Sequence, residues 1–224
     1  MVHFTLFGIP VYIRPSFWVV LAIFGGALSI SSVEDLIYPA LFVIAGFVAI
    51  LSHEMGHALV GRKLGGGQQT IVLELFGGLT SSHGMQLTRG GRALMILAGP
   101  MMTLLLGIIS LGLTWNIVAP VMTSYNLNFW DLAISPFTAA LISPKLYILS
   151  CLIMIGEWWT ILNLLPIYPL DGGQLIAQYI RSPRKVFMTG FITAILIGLL
   201  SFQLFHGYFI PIFMACLLYT SDAA

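Results

Sequence analysis

Apolar positions along this chain gather into long, mostly uncharged stretches, without the strict period-two alternation that a transmembrane barrel would show. A run of about 18 or more such residues is long enough to cross a bilayer as a helix, because each residue rises about 1.5 Å. Five runs qualify: Pro15 to Val33, Leu36 to Gly61, Ala93 to Ala119, Leu146 to Leu170 and Val186 to Phe205. A sixth, Gly207 to Ser221, is uncharged but shorter. The pattern predicts an all-α polytopic membrane protein of about six transmembrane helices. Between the second and third helices, Leu64 to Gly91 reads as a linker. In it Thr70 to Glu74 looks like a strand and Phe76-Gly77-Gly78 like a bend, a small β-strand or hairpin element. The opening HFTLFGIPVYI is rich in β-branched and aromatic residues, so it reads as a strand or an interfacial segment leading into the first helix. It lacks the basic region and small-residue cleavage site of a signal peptide.

Composition sharpens this picture. Of 224 residues, 58% are apolar and only 8% charged, where a soluble domain carries roughly a quarter charged. This excludes a soluble globular domain and a disordered chain. The formal net charge of +1 offers no surface for a polyanion, so no nucleic acid is expected as partner. The two cysteines, Cys151 and Cys216, lie in apolar runs and form neither a disulfide framework nor a metal cluster. No repeat or linker divides the chain, so residues 1–224 are expected to form a single domain, with a catalytic core at about 37–180.

Charge also orients the chain. With the N-terminus in the cytoplasm, Arg14, Arg62, Lys63, Arg89, Arg92, Arg181, Arg184 and Lys185 fall on the cytoplasmic side, and Lys145 alone of the 9 basic residues falls outside. That is the asymmetry of the positive-inside rule. The opposite orientation would satisfy Lys145 only.

The second run contains a polar island, His53-Glu54-Met55-Gly56-His57. Residues four apart share a helix face, so both imidazoles can reach one ion. Glu54, beside the first ligand, can reach a water on that ion. Two histidines and a carboxylate base in HExxH spacing are the arrangement of a zinc hydrolase. Ionisable residues inside an apolar span cost about 2.5–3.5 kcal/mol each when charged at mid-helix, and a metal supplies the partner they need. A catalytic zinc takes three protein ligands and keeps one position open. His3, His83, His206, Glu74, Glu157 and Asp171 are the candidates for the third. His57 lies five residues before Arg62, which sets the ion about 8–12 Å below the cytoplasmic surface. The fourth span ends on the same side in Asn163-Leu-Leu-Pro-Ile-Tyr-Pro-Leu-Asp171-Gly-Gly, so Asp171 is at matching depth. The predicted topology puts His206 on the opposite face. His3 and His83 could approach, but no span anchors them. Pro166 and Pro169 break the helix and Gly172-Gly173 permit a close turn, which can aim Asp171 at the ion. Asn163 could donate to a developing oxyanion or simply bond a neighbouring helix. Glu157, nearly four turns from Asp171, reads as a neutral or hydrogen-bonded group and not as a ligand.

Taken together, HEMGH, NLLPIYPLDGG, Ala98-Gly99-Pro100, the ELFGG bend and the GIPVYIRPSF entry resemble the site-2 protease family of intramembrane zinc metalloproteases, over about residues 5 to 180. The resemblance implies one Zn2+ per chain, held by His53, His57 and Asp171, with Glu54 as catalytic acid and base and Asn163 as transition-state donor. It implies peptide hydrolysis in or near transmembrane helices of single-span membrane proteins. The expected location is the cell membrane, with the active site near the cytoplasmic leaflet. Many members carry an Asn shortly after the Gly-Pro of the third helix, where Met101, Met102 and Thr103 stand here. The length leaves no room for the PDZ-like or nucleotide-binding domains of some relatives, so a minimal form is expected. The competing readings are a metal or proton transporter, which would show matched broken helices in two halves, and an inactive membrane scaffold.

Overall fold

The computed structural model describes residues 1–75, 77–84, 86–125, 130, 133, 135–180, 182–205 and 214–215. The chain divides into two compact units, Met1–Thr160 and Ile161–Ala224.

The first unit begins with a hairpin. Strands β1 (Val2–Leu6) and β2 (Ile9–Ile13) pair antiparallel with Leu6 opposite Ile9. The two-residue turn needs positive φ at both positions, and Phe7 (50°) and Gly8 (75°) supply it. Pro15 then opens α1 (Pro15–Phe24), a position where its missing N–H costs nothing. The run predicted to be helical to Val33 stops there. Gly26 sits at φ 87°, and only a short 3-10 turn, Ala27–Ser29, follows. The glycine pair releases the helix after ten residues although hydropathy continues.

The long helix α2 (Ile37–Gly65) carries the HExxH island and ends where the Gly66 N–H bonds back to the Arg62 carbonyl. Arg62 and Lys63 occupy its last turn, where cations complement the helix dipole. Arg62 also donates to the Phe7 carbonyl at 2.8 Å, tying the first hairpin to this helix end. The linker then forms β3 (Gln68–Glu74) and β4 (Gly77–His83). The sheet is larger than the hairpin expected from the linker. Its order is β1-β2-β3-β4, with β2 and β3 parallel and Val11 beside Ile71. Period-two burial explains this. Ile9, Val11 and Ile13 of β2 and Ile71 and Leu73 of β3 form one apolar face, covered by Phe17 and Leu21 of α1 and by Ile50, Leu51, Met55 and Ala58 of α2. An ion pair of Arg14 with Glu74 (2.8 Å) closes the strand ends.

α3 (Arg89–Tyr125) packs along α2. A Cβ at Gly56 would collide with the Ala98 carbonyl, so the two backbones touch. A short α4 (Pro136–Ala140) is capped by Ser135. α5 (Pro144–Asn163) meets α3 through the buried hydroxyls of Thr103 and Thr160, 3.0 Å apart.

In the second unit α5 ends at Asn163, a turn follows, and α6 (Asp171–Ala177) and α7 (Pro183–Phe205) complete the described helices. Ile167, Ala194 and Met214 form its core with Leu162, Leu165, Leu170 and Ile197. The predicted sixth span, Gly207 to Ser221, lies outside the described residues except for Met214 and Ala215. Among the described residues, four helices are long and apolar enough to cross a membrane. The protein is therefore a mostly helical, multi-pass membrane protein with a small β-sheet.

Candidate metal centre

Helix α2 brings the histidines together by periodicity alone. His53, Glu54 and His57 are 2%, 4% and 7% exposed, and the Nε2 atoms of the two histidines stand 3.1 Å apart, their rings at 82° to one another. Two imidazole nitrogens on one tetrahedral zinc, each at about 2.0–2.1 Å, would be ~3.3 Å apart. The observed pair is close to that spacing. The tautomer is fixed for the same purpose. His57 Nδ1 lies 2.8 Å from the Met95 carbonyl of α3, which can only accept. Nδ1 therefore carries the proton and the Nε2 lone pair is left for a ligand.

α3 shapes the space around these rings. A Cβ at Gly99 would overlap His57 Nε2 and Cε1 and crowd His53 Nε2. The glycine in Ala98-Gly99-Pro100 thus leaves a cradle that a side chain would fill. Trp159 of α5 sets its ring edge-on to His53 at 6.5 Å. Two converging Nε2 atoms, a fixed tautomer and a cleared cradle fit a zinc ion.

Glu54 is held by the linker. The Thr80 hydroxyl of β4 donates to Glu54 Oε2 at 2.7 Å and lies 3.2 Å from the Glu54 carbonyl oxygen. Two residues earlier on the same strand face, a Cβ at Gly78 would overlap the Glu54 side chain. Gly77 and Gly78, expected from the sequence to form a bend with Phe76, are instead the first residues of β4, and Phe76 lies outside the described residues. The available signal for the contact with Glu54 was the period-two spacing of a glycine and a hydroxyl in Gly78-Leu79-Thr80, which has no meaning until the strand is placed against α2.

The second unit supplies the other two predicted residues, both buried. Asn163 is the last residue of α5, 9% exposed, and Asp171 is the first of α6, 6% exposed. The segment between them folds back tightly. A Cβ at Gly172 would strike the Leu164 carbonyl, and one at Gly173 would strike the backbone of Ile167 and Tyr168. The prolines break the chain beyond α5 as the sequence suggests, whereas Gly172 and Gly173 stand not in a loop turn but in the first turn of α6, where the missing side chains let the preceding loop lie on it.

The rival ligand candidates are placed elsewhere. His3 is exposed on β1 and stacks on Tyr12 at 6.1 Å, His83 is exposed at the end of β4, and Glu74 pairs with Arg14. Glu157 is exposed on α5. His206 lies outside the described residues. The strand Thr70 to Glu74 has β2 on one side and β4 on the other.

The chain is similar to known proteins. The family model described as Peptidase family M50 matches residues 41–205. A zinc metalloprotease of Methanocaldococcus jannaschii is 29% identical over 174 residues, covering 77% of this chain and 43% of its own length. A putative zinc metalloprotease of Synechocystis is 28% identical over 188 residues, covering 79% of this chain and again 43% of its own length. The chain thus spans less than half the length of these relatives. The solved site-2 protease from Methanocaldococcus jannaschii superposes with a TM-score of 0.63 at 22% identity, over 99% of this chain and 94% of that one, which is a likeness of fold. With residues 41–205 matched by the family model and an HExxH pair built as a zinc site, the chain belongs to Peptidase family M50.

Proposed function

We propose that this protein is a zinc-dependent endopeptidase that hydrolyses peptide bonds in or near transmembrane helices of other membrane proteins. The observation that carries the reading is the buried His53–His57 pair, Nε2 to Nε2 at 3.1 Å, with the Glu54 carboxylate one residue away on the same helix. Asp171 is the third ligand in this reading. Its support is its place at the start of α6 after the proline-broken segment, its burial, and the family match that includes both motifs. The two compact units then work as one catalytic domain. His53, His57 and Asp171 would hold a single zinc, which polarises a carbonyl and brings the pKa of water toward about 7.

The chain's own residues do the rest. Glu54 takes a proton from the attacking water and delivers it to the leaving amine. Asn163 donates its amide to the carbonyl oxygen as negative charge develops there. A substrate helix hides its carbonyls in i to i−4 hydrogen bonds and must unwind locally before attack. Strand β3 cannot hold the unwound segment, since both its edges are paired. The outer edge of β4, whose Thr80 touches Glu54, pairs with no further strand among the described residues and offers an edge for such pairing.

The proposed topology has about six crossings, four of them by the long apolar helices described above, with the N-terminus in the cytoplasm and the site near that leaflet. Eight of the 9 basic residues support this orientation as far as the fifth span. Single-span membrane proteins are the substrate class, because a lone helix is more readily unwound than one packed in a bundle. The test is Glu54→Gln, assayed with zinc content on the purified protein and on single-span candidate substrates. The variant should keep one zinc and lose ~10²–10⁴-fold in rate. Full activity in that variant would reject the assignment, and metal flux into vesicles with no cleavage would favour a transporter.

A further inference from the structure

We propose that Thr80 is a positioning residue for Glu54, and that Gly78-Leu79-Thr80 is a strand-borne clamp on the general base. The inference rests on the protease reading and adds to it a residue outside both signature motifs. A buried carboxylate needs hydrogen-bond donors, and Glu54 is 4% exposed. Thr80 provides one, at 2.7 Å to Oε2. Its hydroxyl has a single proton, and of its two contacts on Glu54 the carboxylate is closer than the backbone carbonyl at 3.2 Å. Gly78 makes the approach possible, because any side chain there would occupy the space of the Glu54 side chain. Strand alternation places residues 78 and 80 on one face and turns Leu79, 57% exposed, to the other. The strand is itself fixed by its ladder to β3, in which Leu79 lies opposite Val72 and Thr80 opposite Ile71.

The clamp restricts Glu54 to one rotamer and one carboxylate orientation. A base that must collect a proton on one side and release it on another gains rate from such fixing, and substrate binding does not depend on it. The role is therefore separable from a purely structural one. Thr80→Val keeps the volume and removes the donor. Thr80→Ser keeps the donor.

The experiment has two arms on the purified full chain. Fluorescein-labelled casein, which needs no helix unwinding, is the probe for kinetics. Thr80→Val should lower kcat by about 10–100-fold with KM within about twofold and one zinc retained, and Thr80→Ser should restore most of the rate. The second arm uses zinc-free protein carrying 13C-glutamate, with the Glu54 carboxylate band defined in the infrared by difference from Glu54→Gln. That band should move in Thr80→Val and stay in place in Thr80→Ser. An unmoved band, an unchanged kcat in Thr80→Val, or an equal loss in the serine variant overturns the proposal. Loss confined to KM also overturns it, showing that β4 binds substrate without orienting the base. Cleavage by Glu54→Gln would instead overturn the underlying protease reading.

Discussion

The two stretches that carry the candidate chemistry are built in opposite ways. Around His53 and His57 the chain is an uninterrupted helix, and a four-residue interval is enough to converge two Nε2 atoms to 3.1 Å. Around Asn163 and Asp171 the helix is deliberately stopped. Two prolines end it, and Gly172 and Gly173 let the returning backbone lie where a Cβ would collide. A regular helix fixes side-chain geometry by period. A broken one fixes it through residues that remove atoms or hydrogen-bond donors. Both should fail when a ligand is lost, but an added methyl should act differently in each, crowding the imidazoles at Gly99 and straining the backbone at Gly172.

The largest test compares the regions directly. His57→Ala and Asp171→Ala should each abolish stoichiometric zinc and bring cleavage to background, measured by metal analysis and proteolysis side by side. Zinc retained in Asp171→Ala alone would show that only the helical region ligates. Asn163→Ala should be smaller, a loss of ~10²–10³-fold in kcat with zinc intact, as for removal of one oxyanion donor. A loss of zinc there would move Asn163 from transition-state donor to metal support. The smallest pair uses glycines. Gly99→Ala should weaken zinc binding by ~10-fold or more, because the methyl enters the imidazole cradle. Gly172→Ala should cost about 1–3 kcal/mol in folding, seen as a lowered Tm, because its methyl meets backbone that has no room to move. Equal effects of both glycines on zinc and on Tm would erase the distinction.

Much of this was legible before any coordinates. The HExxH face needs only helical spacing, and the prolines signal a break, although the run read to Leu170 as one span ends at Asn163 and Asp171 begins a separate helix. The linker strand at 70–74 was visible from its β-branched residues. Other features were not. The first apolar run continues to Val33, yet α1 ends at Phe24, because φ at Gly26 outweighs hydropathy that only records composition. The N-terminal strand segment and the linker strands could each be suspected, but nothing local says that Val11 should lie parallel to Ile71 across the whole of α1 and α2. Strand partnership is a long-range contact, and its evidence is the apolar face that forms only after pairing.

Sequence alone determined which groups can bind a metal and act as base, since spacing of four on a helix and the chemistry of histidine and glutamate do not depend on the rest of the fold. The tertiary structure decided how those groups are held. It chose the Met95 carbonyl to fix the tautomer of His57, Gly99 to clear space for the rings, and Thr80 to hold the Glu54 carboxylate. Each of these partners is more than 20 residues away along the chain, and a contact at such separation leaves no periodic trace, because it exists only once packing has brought two distant backbones together.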